Sequence, residues 1–372
     1  LQFMALGMLC GIWGAHIPSV RAHYEIDEAT LSLLLFAAAV GAVASLFIAG
    51  KLVARLGARQ ASALSALAMC LALGGVLEYP GAYAALPAML VLGASLSLFD
   101  VAINTEGSVL ESLGQRPIMS NLHGMFSVGG MAGAAAVAGL LWAGVTPRVQ
   151  IPAICAILTL GAAWSSRGML ATHDSAGQES GQAHFAWPRG LLLLIGLLIF
   201  AGMTAEGAMY DWCVLYLKQE VGMTQAHAAL GYASFSAAMA ASRFGGDHLR
   251  ARHDERTLLR FGAVMATLAM AAVLLSAHPV VAMLGFAVVG AGLAPVAPIL
   301  FNAATRVPGV SRAAAIASVT SVGYSGFLVG PPLIGAIATA SSLTAALAVV
   351  VGASALLALG AQRVPLGTPA RQ

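Results

Sequence analysis

The stretch AALPAMLVLGASLSLFDVAINTEG, residues 84–107, shows what kind of fold the chain adopts. It runs for sixteen residues, 84–99, without a charged side chain and then places Asp100 and Asn104 four positions apart. A helix needs about 20 mostly apolar residues to cross a bilayer, so this stretch predicts a membrane span. On such a helix the carboxylate and the amide lie on the same face, one turn apart.

The composition of the whole chain agrees with that prediction. Of the 372 residues, 59% are hydrophobic and only 9% are charged, and the mean hydropathy is +0.86. A soluble domain carries about 25% charged residues. The apolar runs are too continuous for the alternating pattern of a β-barrel, and open strand edges are not stable in lipid. The sequence therefore predicts an all-α membrane protein.

Short polar breaks divide the chain into twelve apolar segments. The longest polar segment, ATHDSAGQESGQAH, follows the sixth of them and predicts a flexible cytoplasmic linker within 171–189. The expected organisation is an N-terminal six-helix bundle, 1–170, and a pseudo-symmetric C-terminal six-helix bundle, 190–372. The predicted spans are 1–19, 30–54, 60–79, 82–107, 119–142, 149–168, 190–216, 226–247, 257–277, 280–303, 312–337 and 342–362.

The distribution of basic residues predicts the orientation in the membrane. If the linker and both termini lie on one side, that side carries 15 of the 18 Lys and Arg residues. Only Arg21, Arg148 and Lys218 then lie on the other side. Because basic loops stay in the cytoplasm, the linker and both termini are predicted to be cytoplasmic.

Several other classes of protein do not fit the sequence. The basic residues are spread over many loops, which argues against binding of nucleic acid. There is no phosphate-binding loop and no nucleophile motif, so we expect neither an ATPase nor another enzyme, and no cofactor. The first span has no charged region before it, which argues against a cleaved signal peptide. The cysteines show no metal-ligand spacing and are expected to pack as small apolar residues: Cys10, Cys70, Cys155 and Cys213.

Two landmarks suggest that the two halves are related by duplication. Asn104 in the fourth predicted span and Asn302 in the tenth are 198 positions apart. A pair of glycines four residues apart recurs in the fifth and eleventh spans at a shift of 197, namely Gly129 with Gly133 and Gly326 with Gly330. Small residues at this spacing allow close helix packing, and internal repeats are common in transporters.

The segment GKLVARLGAR, 50–59, resembles the loop signature of the major facilitator superfamily, Gly-x-x-x-Asp-Arg-x-Gly-Arg-Arg, with Ala54 at the acidic position. The equivalent segment after the eighth span, RFGGDHLRAR, keeps Asp247 but has His248 next to it. An ion pair between Arg243 and Asp247, four apart on one helical face, is expected at the inner gate. The residues that this resemblance assigns to gating loops are Gly50, Arg55, Gly57, Arg59, Arg243 and Asp247.

Three further motifs, FDVAIN, SNLHGMFSVGGMAG and AEGAMYDW, are similar to a poorly characterised bacterial branch of that superfamily related to fucose-permease-type sugar transporters. The resemblance implies alternating access, in which two six-helix bundles rock about a central site. It also implies a monomeric, multi-pass protein of the bacterial inner membrane, surrounded by lipid.

Polar side chains inside the fourth and fifth spans are candidates for that site. A charge near the bilayer centre costs at least about 2.5 kcal/mol, so an acid there needs a partner, a water-filled cavity or neutralisation. His123 enters the fifth span from the same side as Asp100 and is expected to reach a similar depth. Two interpretations remain open. Asp100, Asn104 and His123 either exchange protons and hold a solute, or form a fixed hydrogen-bond network between the fourth and fifth helices.

The seventh span supplies a second set of candidates. Glu206 lies near the middle of the span and is the leading candidate for a proton-carrying carboxylate, with Tyr210 one turn on. Asp211 is expected to approach water near the outer surface. Trp212 and Tyr216 are expected in the interfacial aromatic belt. Asn302 and Tyr324 are further candidates for lining the cavity.

No Lys or Arg occupies the middle of a predicted span, so an anionic solute lacks the cationic partner it needs. Carboxylates suit protons, neutral sugars and polyols, or cations. The expected function is proton-coupled transport of a small polar, sugar-like solute. One alternative is proton-coupled efflux of hydrophobic or cationic compounds. Another is a solute sensor that transports nothing.

Overall fold

Helices account for nearly all of the described chain. The computed structural model describes residues 1–116, 118–170, 188–364 and 366, without the side chains at 247 and 251. The predicted linker lies outside the described residues over 171–187. The helices are α1 (Gln2–Tyr24), α2 (Glu28–Leu56), α3 (Ala58–Gly74), α4 (Ala82–Gly114), α5 (Met119–Trp142), α6 (Pro147–Ser166), α7 (Gly190–Gln219), α8 (Gln225–Arg252), α9 (Glu255–Ser276), α10 (Pro279–Leu293), α11 (Val296–Thr305), α12 (Arg312–Ala340) and α13 (Leu343–Gly360).

Each predicted span corresponds to one helix except the tenth. That segment is divided into α10 and α11 at Ala294 and Pro295. The division follows from Pro295, which has no backbone N–H to continue the hydrogen-bond ladder of α10. Ten segments of the described chain are long and apolar enough to cross a membrane, with α10 and α11 counted as one. The other two of the twelve are the shorter α3 and the more polar α8.

Local sequence signals set the helix ends. Asp27 begins α2 by accepting a hydrogen bond from the Thr30 N–H at 2.9 Å, and Asp254 begins α9 in the same way through Thr257. Between α2 and α3 the chain turns at Gly57, whose φ of 77° is unfavourable for any residue with a Cβ. This turn explains why the loop signature has a glycine at position 57. We call the end of the molecule with this turn the Gly57 end and the opposite end the Glu25 end.

The helix packing repeats between the two halves of the chain. In the first half α1 packs on α5, α2 on α4, and α3 on both α4 and α6. In the second half α7 packs on α12, α8 on α10, and α9 on both α10 and α13. Each helix pair in the second half corresponds to one in the first half, six spans earlier. The fold is therefore two pseudo-symmetric six-helix bundles, as the sequence predicts.

Glycines allow these helices to approach closely. A Cβ at Gly93 of α4 would overlap the carbonyl group of Ala38 in α2. The predicted glycine pair of α5 packs against α1, because a Cβ at Gly129 or Gly133 would overlap the backbone of Met4 or Met8. The packing role of these small residues is confirmed.

The two halves touch near both ends. At the Glu25 end, the Gln225 side-chain amide donates to the Ala15 carbonyl at 3.0 Å and to Ser19 Oγ at 2.6 Å. At the Gly57 end, Ser120 Oγ donates to the Arg243 carbonyl at 3.0 Å. The most polar part of the interface lies between these contacts.

Candidate solute and proton site

A carboxylate, a phenol and a guanidinium meet at the interface between the halves. Tyr210 Oη donates to Glu206 Oε1 at 2.7 Å, one helical turn away on α7. Arg243 Nη2 of α8 donates to the same oxygen at 3.2 Å. The side chains of Arg243 and Glu206 are only 16% and 14% exposed. In such a low-dielectric setting a charge-assisted hydrogen bond is strong and a lone charge is costly.

Arg243 also connects the two halves. Its Nη1 donates to Ser127 Oγ at 2.8 Å and to the His123 carbonyl at 3.3 Å, both on α5. One guanidinium therefore joins α5 of the first half to α7 and α8 of the second. The Phe244 ring lies against Gly124 next to this junction, and a Cβ at Gly124 would come within 2.6 Å of it.

This arrangement corrects one expectation about Arg243. The sequence places no Lys or Arg near the middle of a span, yet the Arg243 guanidinium contacts the mid-span Glu206. The long apolar stem of arginine carries its charged group well away from its own Cα, so the position of Arg243 in the sequence understates its reach. The side chain of Asp247, the expected partner, lies outside the described residues, so an ion pair between Arg243 and Asp247 stays a prediction.

Asp100 and Asn104 form the pair that their spacing predicts. Asn104 Nδ2 donates to Asp100 Oδ1 at 2.9 Å and to the Asp100 carbonyl at 2.8 Å. Tyr324 of α12 interacts electrostatically with both Asp100 and Glu206. The structure thus brings Asp100, Glu206 and Tyr324 to the same interface.

His123 does not join this pair. Its ring packs edge-on against Phe3 of α1 at 5.3 Å between centroids, and among the described residues it has no hydrogen bond to Asp100. The predicted network between the fourth and fifth helices is therefore wrong. The reason is tertiary, because α5 packs along α1 and α8 and barely contacts α4. His123 contributes to the site through its backbone carbonyl, which accepts a hydrogen bond from Arg243.

Asn302 also lies elsewhere. Its Nδ2 donates to Glu255 Oε1 at 3.1 Å, and Arg306 pairs with the other oxygen of the same carboxylate at 3.1 Å. These contacts tie α11 to the start of α9 at the Gly57 end. Asn302 therefore fixes two helices at the end of the bundle, and the geometry gives it no place beside Glu206.

Sequence reasoning missed Asp211 and misplaced two aromatic residues. Trp212 and Tyr216 are fully buried rather than interfacial, because α7 is surrounded by helices of both halves at this height. Asp211 is half-buried and interacts electrostatically with Cys10 of α1 and Tyr232 of α8. Its place in the motif AEGAMYDW, next to Tyr210, is the signal that the sequence offers for it.

The residues of the loop signature lie at the Gly57 end. Arg55 is exposed and Arg59 is half-buried, and a Cβ at Gly50 would meet open space. Of the two glycines of this loop, the structure accounts for Gly57, because its backbone conformation favours a glycine. A cavity of about 550 Å³ also opens at this end, between α1, α4, α5 and α6. It is lined by Gln2, Glu106 and Arg167 among others, and Glu206 is not part of its wall.

Comparison with known proteins identifies the family. The sequence model described as Major Facilitator Superfamily matches residues 1–325. An uncharacterized MFS-type transporter of Yersinia pestis is 34% identical over 352 residues, which cover 93% of this chain and 89% of that protein. The membrane protein MosC of Rhizobium meliloti is 32% identical over 96% of this chain and 87% of its own length.

Solved structures share the fold at low sequence identity. The D-xylose-proton symporter is similar with a TM-score of 0.76 and 14% identity over 97% of this chain and 95% of its own. The nucleoside transporter NupG matches with a TM-score of 0.71 and 14% identity, over 97% and 96% of the two chains. FucP in its outward conformation matches with a TM-score of 0.63 and 16% identity over 98% of each chain. With its twelve segments, repeated packing and matching sequence model, the chain belongs to the Major Facilitator Superfamily.

Proposed function

We propose that the protein is a secondary active transporter that moves a small polar solute by alternating access and couples this movement to protons. In this proposal it is a multi-pass protein of the bacterial inner membrane with both termini in the cytoplasm. The bundles 1–170 and 190–372 move relative to each other about the interface that holds Glu206 and Asp100, and 171–189 links them. The protein is a carrier and not an enzyme.

The observation that carries this proposal is the contact of Arg243 with both halves. Its guanidinium bonds to α5 in the first half and to Glu206 in the second. Protonation of Glu206 removes the charge that attracts the guanidinium and so weakens its hold at this position. In a closed, water-free state of the transporter, a neutral acid also has a much lower desolvation free energy than a carboxylate.

The first solute class in the proposal is neutral and sugar-like. The nucleoside and D-xylose transporters with this fold are named for neutral polyhydroxylated solutes. The Arg243 guanidinium already has a carboxylate partner, so it offers an anionic solute no free positive charge. A cationic solute is the second class, because Asp100 and Asp211 add two further acids to the interface.

Reconstitution in liposomes with an internal pH-sensitive dye tests this function. We would screen neutral sugars, polyols and nucleosides against lipophilic cations, with wild type, Glu206→Gln and Asp100→Asn. Solute-dependent proton entry that either change abolishes would support the proposal. Glu78→Gln is the control, because Glu78 is an exposed loop acid paired only with Arg148. Solute binding without proton or solute flux would favour a sensor instead.

A further inference from the structure

The break between α10 and α11 leaves backbone groups without helical partners. Pro295 and Pro298 have no N–H group, so the first turn of α11 offers only the N–H groups of Val296 and Ala297. Neither N–H donates a hydrogen bond to a described residue, and the Leu293 carbonyl, four residues before Ala297, accepts none. Val296 and Leu293 are only 4% and 2% exposed. Buried backbone groups are almost always paired, so the break calls for a partner from outside the helix.

The same break lines a small void beside Glu206. The void has a volume of about 10 Å³, and its walls come from α7, α10 and α11, all in the second half. The residues that line it include Gly202, Met203, Glu206, Leu293, Val296 and Ala297. A void of about this size holds one water molecule when two to four polar groups are within its reach.

Glu206 has one oxygen left for such a water. Tyr210 and Arg243 both donate to Oε1. Oε2 makes no hydrogen bond with a described residue but keeps some accessible surface. An unpaired carboxylate oxygen in the interior of a bundle is costly, and each carboxylate oxygen accepts more than one hydrogen bond. Oε2 is therefore the acceptor that the void offers to a donor.

We propose that this void binds one water molecule, which bridges Glu206 Oε2 and the unpaired backbone groups of the break. The bridge joins α7 to the start of α11 where the two already lie close, because a Cβ at Gly202 would come within 2.8 Å of Val296 Cγ1. The role of the water in proton coupling rests on the transport function proposed above, whereas its binding does not.

Water suits the site in both protonation states of Glu206, because it is a donor and an acceptor. Beside the carboxylate, the water donates to Oε2 and accepts a hydrogen bond from an N–H group of the break. Beside the neutral acid, it accepts from the Oε2 hydroxyl and donates to the Leu293 carbonyl. Arg243 is a donor only and pairs with the ionised form. A metal ion prefers a full shell of oxygen ligands and is not matched by a wall that offers N–H donors.

The bridge keeps Glu206 paired during transport. All of its groups belong to the second half, so they move together when the two halves rock. Arg243 bonds to α5 of the first half as well, and its attraction to Glu206 falls when the acid is protonated. The water then remains as the partner of Oε2, which lowers the free energy of the neutral acid in a closed state.

Two methionines of α7 report on this water. Met203 lines the void, whereas Met209, six residues further along, is fully buried and does not. In X-ray footprinting, hydroxyl radicals formed from bound water oxidise adjacent methionines to the sulfoxide. We would irradiate the protein in lipid nanodiscs and follow both sites by mass spectrometry. Met203 should be oxidised several-fold faster than Met209, and equal rates would overturn the water site.

Gly202→Ala tests where the water lies. Its added methyl lies against Val296, between two walls of the void, and should lower the Met203 oxidation rate several-fold. Gly196→Ala is the matched control, because its methyl meets Val322 at 3.0 Å on the same helix, away from the void. A Met203 rate that falls equally in both variants, or in neither, would contradict the assignment. The wild-type comparison decides alone if Gly202→Ala does not fold.

Infrared spectroscopy tests the bond to Glu206. The C=O band of the protonated acid is the band that Glu206→Gln removes. It should shift in Gly202→Ala and stay in place in Gly196→Ala, because only the first change displaces the water. An unshifted band in both variants would contradict the bridge. If Met203 is oxidised as expected but no such band appears at any pH, proton coupling through Glu206 fails while the water site stands.

Discussion

At the scale of single residues, Arg243 decides how the interface is charged. It forms an ion pair with Glu206 in the second half and a hydrogen bond with Ser127 in the first. It therefore connects two halves that move relative to each other in the proposed transport cycle. Both side chains of the ion pair are largely buried, and a buried pair tolerates the loss of one partner poorly. The remaining partner is then a charge without compensation in a low-dielectric site.

The first prediction concerns this pair. Glu206→Gln should lower the free energy of unfolding by about 3 kcal/mol, because the Arg243 guanidinium loses its counter-charge. The double variant Glu206→Gln with Arg243→Gln should cost less than the sum of the two single changes. Thermal and denaturant unfolding in detergent measure all three variants. Strict additivity would mean that the two side chains do not interact energetically.

A second residue-scale prediction concerns the contact with α5. Ser127→Ala removes the 2.8 Å bond from Arg243 but leaves the pair with Glu206. The expected loss of stability is about 1 kcal/mol, and it should be smaller than that of Glu206→Gln. The same unfolding assay compares them. An effect of Ser127→Ala as large as that of Glu206→Gln would show that the bridge to α5, and not the ion pair, holds Arg243.

At the scale of helices, small residues determine which pairs pack. Gly93 lies so close to the Ala38 carbonyl that no side chain fits between α4 and α2. The corresponding pair in the second half is α8 with α10, where Gly290 meets the Phe235 carbonyl in the same way. The glycine pairs were visible in the sequence. Which helix each pair would face was not, because small residues permit close packing without selecting a partner.

This packing gives a prediction with a matched control. Gly93→Ala should destabilise the protein by about 1 to 3 kcal/mol, because the added methyl overlaps the α2 backbone. Gly139→Ala in α5 adds the same methyl into open space and should be neutral or stabilising by up to about 1 kcal/mol. Melting temperatures of the two variants in one detergent test the difference. Equal effects would argue against close packing of α2 on α4.

At the scale of the whole molecule, the halves are joined at the Glu25 end by Gln225, which bonds to Ala15 and Ser19. Alternating access requires such contacts to break once in each cycle. Between the halves, α5 packs on α8 about as extensively as it packs on α1. In the proposed transport cycle the polar contacts of Gln225 at the Glu25 end would have to break.

The last prediction tests that motion. In Ser19→Cys with Gln225→Cys, a short bifunctional thiol reagent should join the two halves, because the native side chains are 2.6 Å apart. Transport in liposomes should stop on cross-linking and recover after reduction if the reagent contains a disulfide. Gln225→Cys alone is the control. Transport that continues in the cross-linked protein would mean that the Glu25 end does not open.

Local features of the sequence are enough to predict the class of the fold. Continuous apolar segments and the short polar breaks between them are local features, so they predict twelve membrane-crossing segments without reference to the rest of the chain. The pairing of Asp100 with Asn104 is equally local, because helical geometry places residues four apart on one face.

The contacts between side chains of different helices follow from the tertiary structure and not from local sequence. The tertiary structure placed Arg243 beside Glu206, separated His123 from Asp100, and brought Asp211 within electrostatic range of Cys10 and Tyr232. Each of these contacts joins residues far apart in sequence, so hydrophobic periodicity carries no information about them. They depend instead on which helices pack together, and small residues such as Gly14 only allow the close approach.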